Sequence, residues 1–487
     1  MSTQRTHDRP NSGWLRIGPI LMALAVAGCQ AGTTPAASGS PSASALPSVA
    51  PTQATAEPTP SATPVETHWE LAGSMAAARD APQAVAFADG SLLVVGNDQG
   101  TELWDPETGT WTTVAWIGKP RTNFALVRLH DGRAMVIGGM NAIDQSYLST
   151  LVFDPAAPDA GWVMVDDLLN TARTDPAAVV LADGRVLVAG GYFRTAPEYA
   201  RGDSSGTVLA AYRGPVADVA PENVGAAMAT AELWDPATGE WTQTGPMTYA
   251  RYGAAATLLA DGRVLVVGSR CTGEVTVDWA ACSTAELYDP ATGRFSLTGG
   301  MPDLDLSGVD LPPGFSPTRD YSPFSMGSLM PLPDGGAVLI GKSGWAKMAG
   351  HTIRSLRYDA ADGTWRQIGK LYLSHWNPMA EPPEEWETLD VLPRLGPMVA
   401  ALPDGRILVA GGDGMGWSPN TSPTAELYEP TTDTWSALPP MPQARAAGAA
   451  VTLPDGSVML VGGHQGQSAG ARPATGLDSA VRLMVGS

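Results

Sequence analysis

The chain has 487 residues, a net charge of -20 and 44% hydrophobic residues. That is enough apolar content for a large core, and too acidic a balance for nucleic-acid binding, which needs a clustered basic footprint. With 55 Gly and 42 Pro, the composition favours many turns and short strands over long helices.

Residues 1–28 read as a targeting segment outside the fold. Arg5, Arg9 and Arg16 form a basic start, and the apolar run from Ile17 to Ala27 is too short to span a bilayer core of ~30 Å as a helix. The run ends in Val26-Ala27-Gly28-Cys29, and small residues directly before a cysteine resemble a bacterial lipobox. The resemblance implies cleavage before Cys29 and a diacylglycerol on its thiol, which would make the membrane a partner. The competing account is a plain secretory signal that happens to contain a cysteine. Residues 29–66 then carry almost only Ala, Ser, Thr, Pro, Gln and Gly. Such a segment cannot bury enough apolar surface to offset its ordering entropy. It reads as a disordered tether, reaching on the order of 100 Å if extended.

From Thr67 to Ser487 one pattern recurs. An Asp-Gly pair between two apolar runs stands at Asp89, Asp131, Asp183, Asp261, Asp334, Asp404 and Asp455. This is a strong hairpin signal, because both residues tolerate positive φ. The following run is uniformly apolar, as in Val186 to Ala189, and predicts a strand buried on both faces. It ends in Gly-Gly at 138, 190, 411 and 462. A third run carries an aromatic residue, and a fourth opens with one: Trp104 and Trp111, Phe153 and Trp162, Trp234 and Trp241, Tyr288 and Phe295, Tyr358 and Trp365, Tyr428 and Trp435. Large aromatics at one recurring position suit packing between sheets. Four antiparallel strands per repeat, at a period near 50 plus insertions, define the blade of an all-β propeller.

Gly-Gly, an aromatic, then Trp about seven residues later resembles the kelch repeat, over Thr67 to the end of the chain. Blades one, four and five depart from it with the single glycines Gly96, Gly268 and Gly341. The seventh repeat stops after strand three, while an orphan fourth strand, His68 to Leu71, precedes the first. The expectation is a seven-bladed kelch-type β-propeller over residues 67–487, closed by its amino-terminal strand, since closure removes open sheet edges. The alternative is two smaller β domains divided near residue 300.

Strand order assigns each connection to one end of the ring. Turns joining strands one to two and three to four are short. The long insertions, Tyr192 to Met228, Ser269 to Ser283, Thr298 to Phe324 and Tyr372 to Arg394, all fall at the other end. Variable loops on a rigid scaffold are the usual way to build a binding face. They can also be tolerated insertions without a role.

Several groups within these loops bear on chemistry. Cys271 and Cys282, in one insertion of an exported chain, read as a local disulfide, with a metal or redox pair as the alternative. Asp303, Asp305 and Asp310, and Glu381, Glu384, Glu385 and Glu387, could serve Ca²⁺ but lack an ordered ligand spacing and read as solvated surface. Kelch-like propellers include copper-radical oxidases of the galactose oxidase type and sugar-processing enzymes. The copper chemistry needs two His, a Tyr and a Cys-linked Tyr converging on one metal. Of the six His, His7 precedes Cys29, His68 and His130 lie away from the long loops, and His351, His375 and His464 remain. Scattered single histidines read as loop residues, and no cofactor or metal is expected.

Arginine gives the most regular signal. Arg79, Arg121, Arg173, Arg251, Arg394 and Arg445 each stand ten residues before a turn Asp, while blade five has Phe324 there. Repeat symmetry puts the six at one height beside the central channel. They either form a cationic mouth for a carboxylate-bearing ligand or pair with acids inside the blades. Glu102, Glu232, Glu286 and Glu426 supply such acids in blades one, three, four and six, whereas blades two and seven have Leu151 and Val481. Arg121 and Arg445 are therefore the candidates for ligand contact. The resulting reading is a non-catalytic, membrane-anchored extracytoplasmic binding or scaffolding module for an extracellular peptide or glycan. The alternative is an extracellular enzyme on the same propeller.

Overall fold

A computed structural model of the chain describes residues 67–96, 100–118, 120–141, 146–167, 169–193, 227–269, 280–302, 321–345, 351–369, 372–373, 394–414, 421–466 and 475–486. The leader, Cys29, the tether, Cys271, His375 and both acidic insertions lie outside the described residues.

Seven antiparallel sheets form the blades. In blade three the strands are Ala177–Val180, Val186–Ala189, Ala231–Asp235 and Glu240–Thr244. The first strands of the blades touch one another in order around the ring, and blade seven returns to touch blade one. One ring results, not two domains. The second strands are wholly buried, as in Val186–Ala189, because each lies between two strands of its own sheet and two neighbouring blades. The aromatic pairs predicted by spacing are directly opposed across strands three and four, including Trp234 with Trp241 and Tyr428 with Trp435. Their rings meet at tilted geometry, 4.9 Å apart for Tyr358 and Trp365. The wider spacing in blade two reflects a turn of 3-10 helix at Pro158–Ala160.

Closure follows the expectation. His68–Arg79 pairs antiparallel with the last strand, Thr475–Met484, bringing Trp69 opposite Leu483. The Trp69 indole donates to the Pro439 carbonyl at 2.7 Å, so the amino-terminal strand is also tied to blade six.

The hairpins differ from the expectation in one respect. Only the glycine of each Asp-Gly pair takes positive φ, +88° at Gly90. The amide of Phe87 donates to the Ser91 carbonyl and that of Gly90 to the Phe87 carbonyl, which is a longer turn than the two-residue kind. The aspartate works through its side chain. Asp89 accepts from the Ser91 amide. In blades two, three, four and six the turn Asp also holds an arginine two residues on, as Asp183 holds Arg185 at 2.7 Å. This end of the ring is therefore tied off turn by turn.

Deleting Thr67 to Leu71 should strip the cover from the last strand and lower stability by on the order of 3 kcal/mol, the loss expected from removing a large packed aromatic. Chemical denaturation of the full and shortened chains measures it. Equal midpoints would mean that Trp69 and its strand are dispensable for closure.

Candidate functional site

The arginine ring exists, but its groups point into the blades. Arg79, Arg121, Arg173, Arg251 and Arg445 are each no more than 4% exposed, so they form no cationic mouth. The reason is geometric. The sheets are radial, and side chains at the start of strand one face the neighbouring strands and blades instead of the axis. The Arg394 side chain lies outside the described residues.

Each arginine is a joint between blades. In blade three, the Arg173 guanidinium donates to the carbonyls of Gly190 and Thr230 and to the Glu232 carboxylate at 2.9 Å. The Glu232 carboxylate also accepts from the amides of Asn170 and Thr171, in the segment arriving from blade two. Meanwhile the Arg173 carbonyl accepts from the amide of Gly139 in blade two at 2.7 Å. A Cβ on Gly138 would sit 2.3 Å from that carbonyl oxygen, which explains why this position is glycine better than a sharp exit does. The unit recurs with Arg251 and Glu286, and with Arg79 and Glu102.

Blades two and seven solve the same problem without a carboxylate. Arg121 donates to the Gly138 and Ser149 carbonyls and to the Ser149 hydroxyl, and its guanidinium lies 4.1 Å from the centre of the Tyr147 ring. Arg445 donates to the Gly462 and Ser479 carbonyls and to the Ser479 hydroxyl. Burial disfavours both cations and brings each pKa down to about 10. Their terminal N–H groups are engaged within the protein, so neither is placed to grip a ligand. The hydroxyl two residues before the Glu position, at Ser149, Thr230, Thr284 and Ser479, was the overlooked sequence signal for this internal role.

A cluster of ionisable side chains gathers instead one residue further along, on the insertion end. The residues after Gly-Gly in blades six and seven are Asp413 and His464, and the residue after Arg79 is Asp80. His464 is buried, with Nδ1 at 2.8 Å from Asp80 and Nε2 at 2.9 Å from Asp413. One imidazole thus clamps blades six, seven and one. Burial alone would lower its pKa, but the hydrogen bonds that Asp80 and Asp413 accept from the ring prevail and hold it above the ordinary histidine value. In other blades, the buried Tyr192 meets the buried Tyr252 edge-on at 5.2 Å and its hydroxyl donates to the Met140 sulfur at 3.4 Å. The ionisable cluster thus joins blades six, seven and one, and the aromatic contact joins blades two to four.

The family and structure comparisons agree with this architecture. Residues 394–442 match the Kelch motif. A Kelch-like protein, terF, of Aspergillus terreus is 31% identical over 105 residues, 21% of this chain and 22% of that protein. The match thus spans about a fifth of that relative. Among solved structures, a fungal alcohol oxidase of the AA5 family in complex with copper superposes with a TM-score of 0.53 at 17% identity, covering 86% of this chain and 76% of that one. At that identity the likeness is one of fold.

The buried arginines give a graded prediction. Arg173→Met strands the Glu232 carboxylate and should cost about 3–5 kcal/mol. Arg445→Met strands only neutral acceptors and should cost about 1–3 kcal/mol. Equal losses in denaturation midpoints would refute the carboxylate's part in the difference. The His464 clamp carries a pH prediction. A folded-state pKa above the unfolded value of ~6.5 means stabilisation that is full below that pH and is lost as pH rises through the folded pKa. The melting-temperature gap between wild type and His464→Gln should therefore narrow as pH rises above about 6.5. A gap that widened would reverse the sign of the linkage.

Proposed function

We propose that this chain, a kelch-repeat β-propeller, is a lipid-anchored extracytoplasmic binding module that takes an extracellular peptide or glycan on its long-loop end. One observation carries the reading. The short-turn end is closed by self-capped hairpins and Asp–Arg pairs, whereas the long insertions depart from strand ends at the other end, where Asp80 is exposed and His464 ties it to Asp413. Rigid strands beneath variable loops supply binding surface at little cost to the fold. Acyl chains on Cys29 supply the membrane attachment, at ~0.8 kcal/mol per buried CH₂. A Cys271–Cys282 disulfide closes the base of the blade-four insertion, where Cys282 is fully buried.

A second reading, an extracellular enzyme on the same propeller, is favoured by the likeness to a copper-containing alcohol oxidase. The described donors do not fit copper. His464 has both ring nitrogens on carboxylates, and among the described residues no three His, Cys, Asp or Glu side chains form a metal-holding group.

The test is a glycan and peptide screen of the whole protein against a version with residues 194–226 replaced by a short Gly-Ser connection, alongside membrane fractionation of Cys29→Ser. Saturable binding lost with the insertion, and release of the cysteine variant into the soluble fraction, are the expected results. Binding that survives the replacement, or turnover of an alcohol by copper-treated protein, would favour the other reading.

A further inference from the structure

The central channel carries a feature that the repeat makes conspicuous. The last residue of strand one is Ala86, Val180, Leu258, Pro331, Ala401 or Thr452 in six blades, and Arg128 in blade two. Small and apolar residues suit this position because seven strands converge there. Arg128 breaks the pattern at the edge of an open cavity, a broad-mouthed depression of about 330 Å³. The walls are the last three residues of strand one in blades one, six and seven, with Met330. This cavity lies toward the short-turn end, away from the cluster that holds His464.

Arg128 differs from the buried arginine ring in every respect. It is exposed, and among the described residues it has no acidic partner. The acid nearest in sequence, Asp131, is held by Arg133 at 2.7 Å. The one polar side chain in the opposite wall, Thr452, donates its hydroxyl to the Ala401 carbonyl at 2.6 Å and leaves the guanidinium unmet. Unpartnered first-strand edges also turn backbone amides toward the channel. A free planar fork above walls of Ala and Val is complementary to a ligand with a carboxylate head and a short hydrocarbon body. The volume is at the low end for ligand pockets, which limits the ligand to a small molecule.

We propose that the channel is a second binding site, distinct from the long-loop end, in which Arg128 takes the carboxylate of a small aliphatic acid and the Ala/Val walls take its chain. Pentanoate is the probe, with neutral pentanamide and inorganic phosphate as comparisons, titrated calorimetrically into the whole protein. Pentanoate should bind saturably. Arg128→Gln should weaken it about 10- to 100-fold, the loss of one charge-assisted pair. Arg263→Gln, on the same end in blade four and paired with its own Asp261, should leave it unchanged, and Ala86→Phe should block the cavity. Thermal unfolding confirms that each variant folds. The proposal falls if pentanoate does not saturate, if pentanamide binds equally well to the unmodified protein, if phosphate binds more tightly than pentanoate, or if Arg128→Gln binds as wild type does.

Discussion

The ring depends on one joint, repeated: an arginine whose carbonyl is held by the blade before it and whose guanidinium is held by its own. Gly139 donates to the Arg173 carbonyl, Gly191 to that of Arg251, Gly412 to that of Arg445 and Gly463 to that of Arg79. Each of the five described guanidinium groups then reaches a glycine carbonyl of its own blade, as Arg173 does at Gly190. Backbone approach this close is possible only without a Cβ, and the five donors of a guanidinium can satisfy several carbonyls at once. The cation is costly to bury, and Glu102, Glu232 and Glu286 offset that cost in three blades. Two residues beyond each arginine the backbone turns left-handed at Ala81, Asn123, Asp175, Gly253, Gly396 and Ala447. There a second belt forms, with Asp175 donating to the Asn123 carbonyl and Gly253 to that of Asp175. Local strain at Ala447 is thus held in place by the bond from its amide to the Gly396 carbonyl of the blade before.

Because these joints fix the blades near the axis, the two ends of the ring are free to differ. The short-turn end is consumed by its own hairpins. The long insertions begin and end at strands of the other end, above these joints. The blade-four insertion returns through a short helix, Ala280–Ser283, whose Ala281 carbonyl accepts from Arg251. Even here a loop is tied to the arginine of its blade, so scaffold and binding face share one network.

The fold was legible in the sequence because every repeat votes on it. The Asp-Gly turns, the apolar second strands, the paired aromatics and the orphan Trp69 strand each predicted what is found. The arginines were legible as a ring and misread as a mouth. Spacing fixes the height of a residue in a blade, but the radial tilt of the sheet decides whether its side chain meets the channel or the next strand. The Ser or Thr two residues before the Glu position and the Asn, Asp or Gly at the left-handed position were available as signals. The His464 clamp was not, since His464 and Asp80 are 384 residues apart and belong to no repeating pattern.

That clamp stands where the ring has its weakest covalent logic. Blade seven is assembled from both ends of the chain, so no peptide link crosses between its third and fourth strands, and its Arg445 lacks a carboxylate. The seam is reinforced by other means. The Arg79 carbonyl accepts from Gly463, the Thr67 hydroxyl accepts from the Gly486 amide, and His464 joins three blades through two carboxylates. Because Asp80 and Asp413 hold the His464 pKa above its ordinary value, the stability of this seam depends on pH. Of the three, Asp80 is the exposed side chain at the proposed binding end. A ligand that engages Asp80 or Asp413 must compete with His464 for them, and so would draw on the seam's stability as it binds.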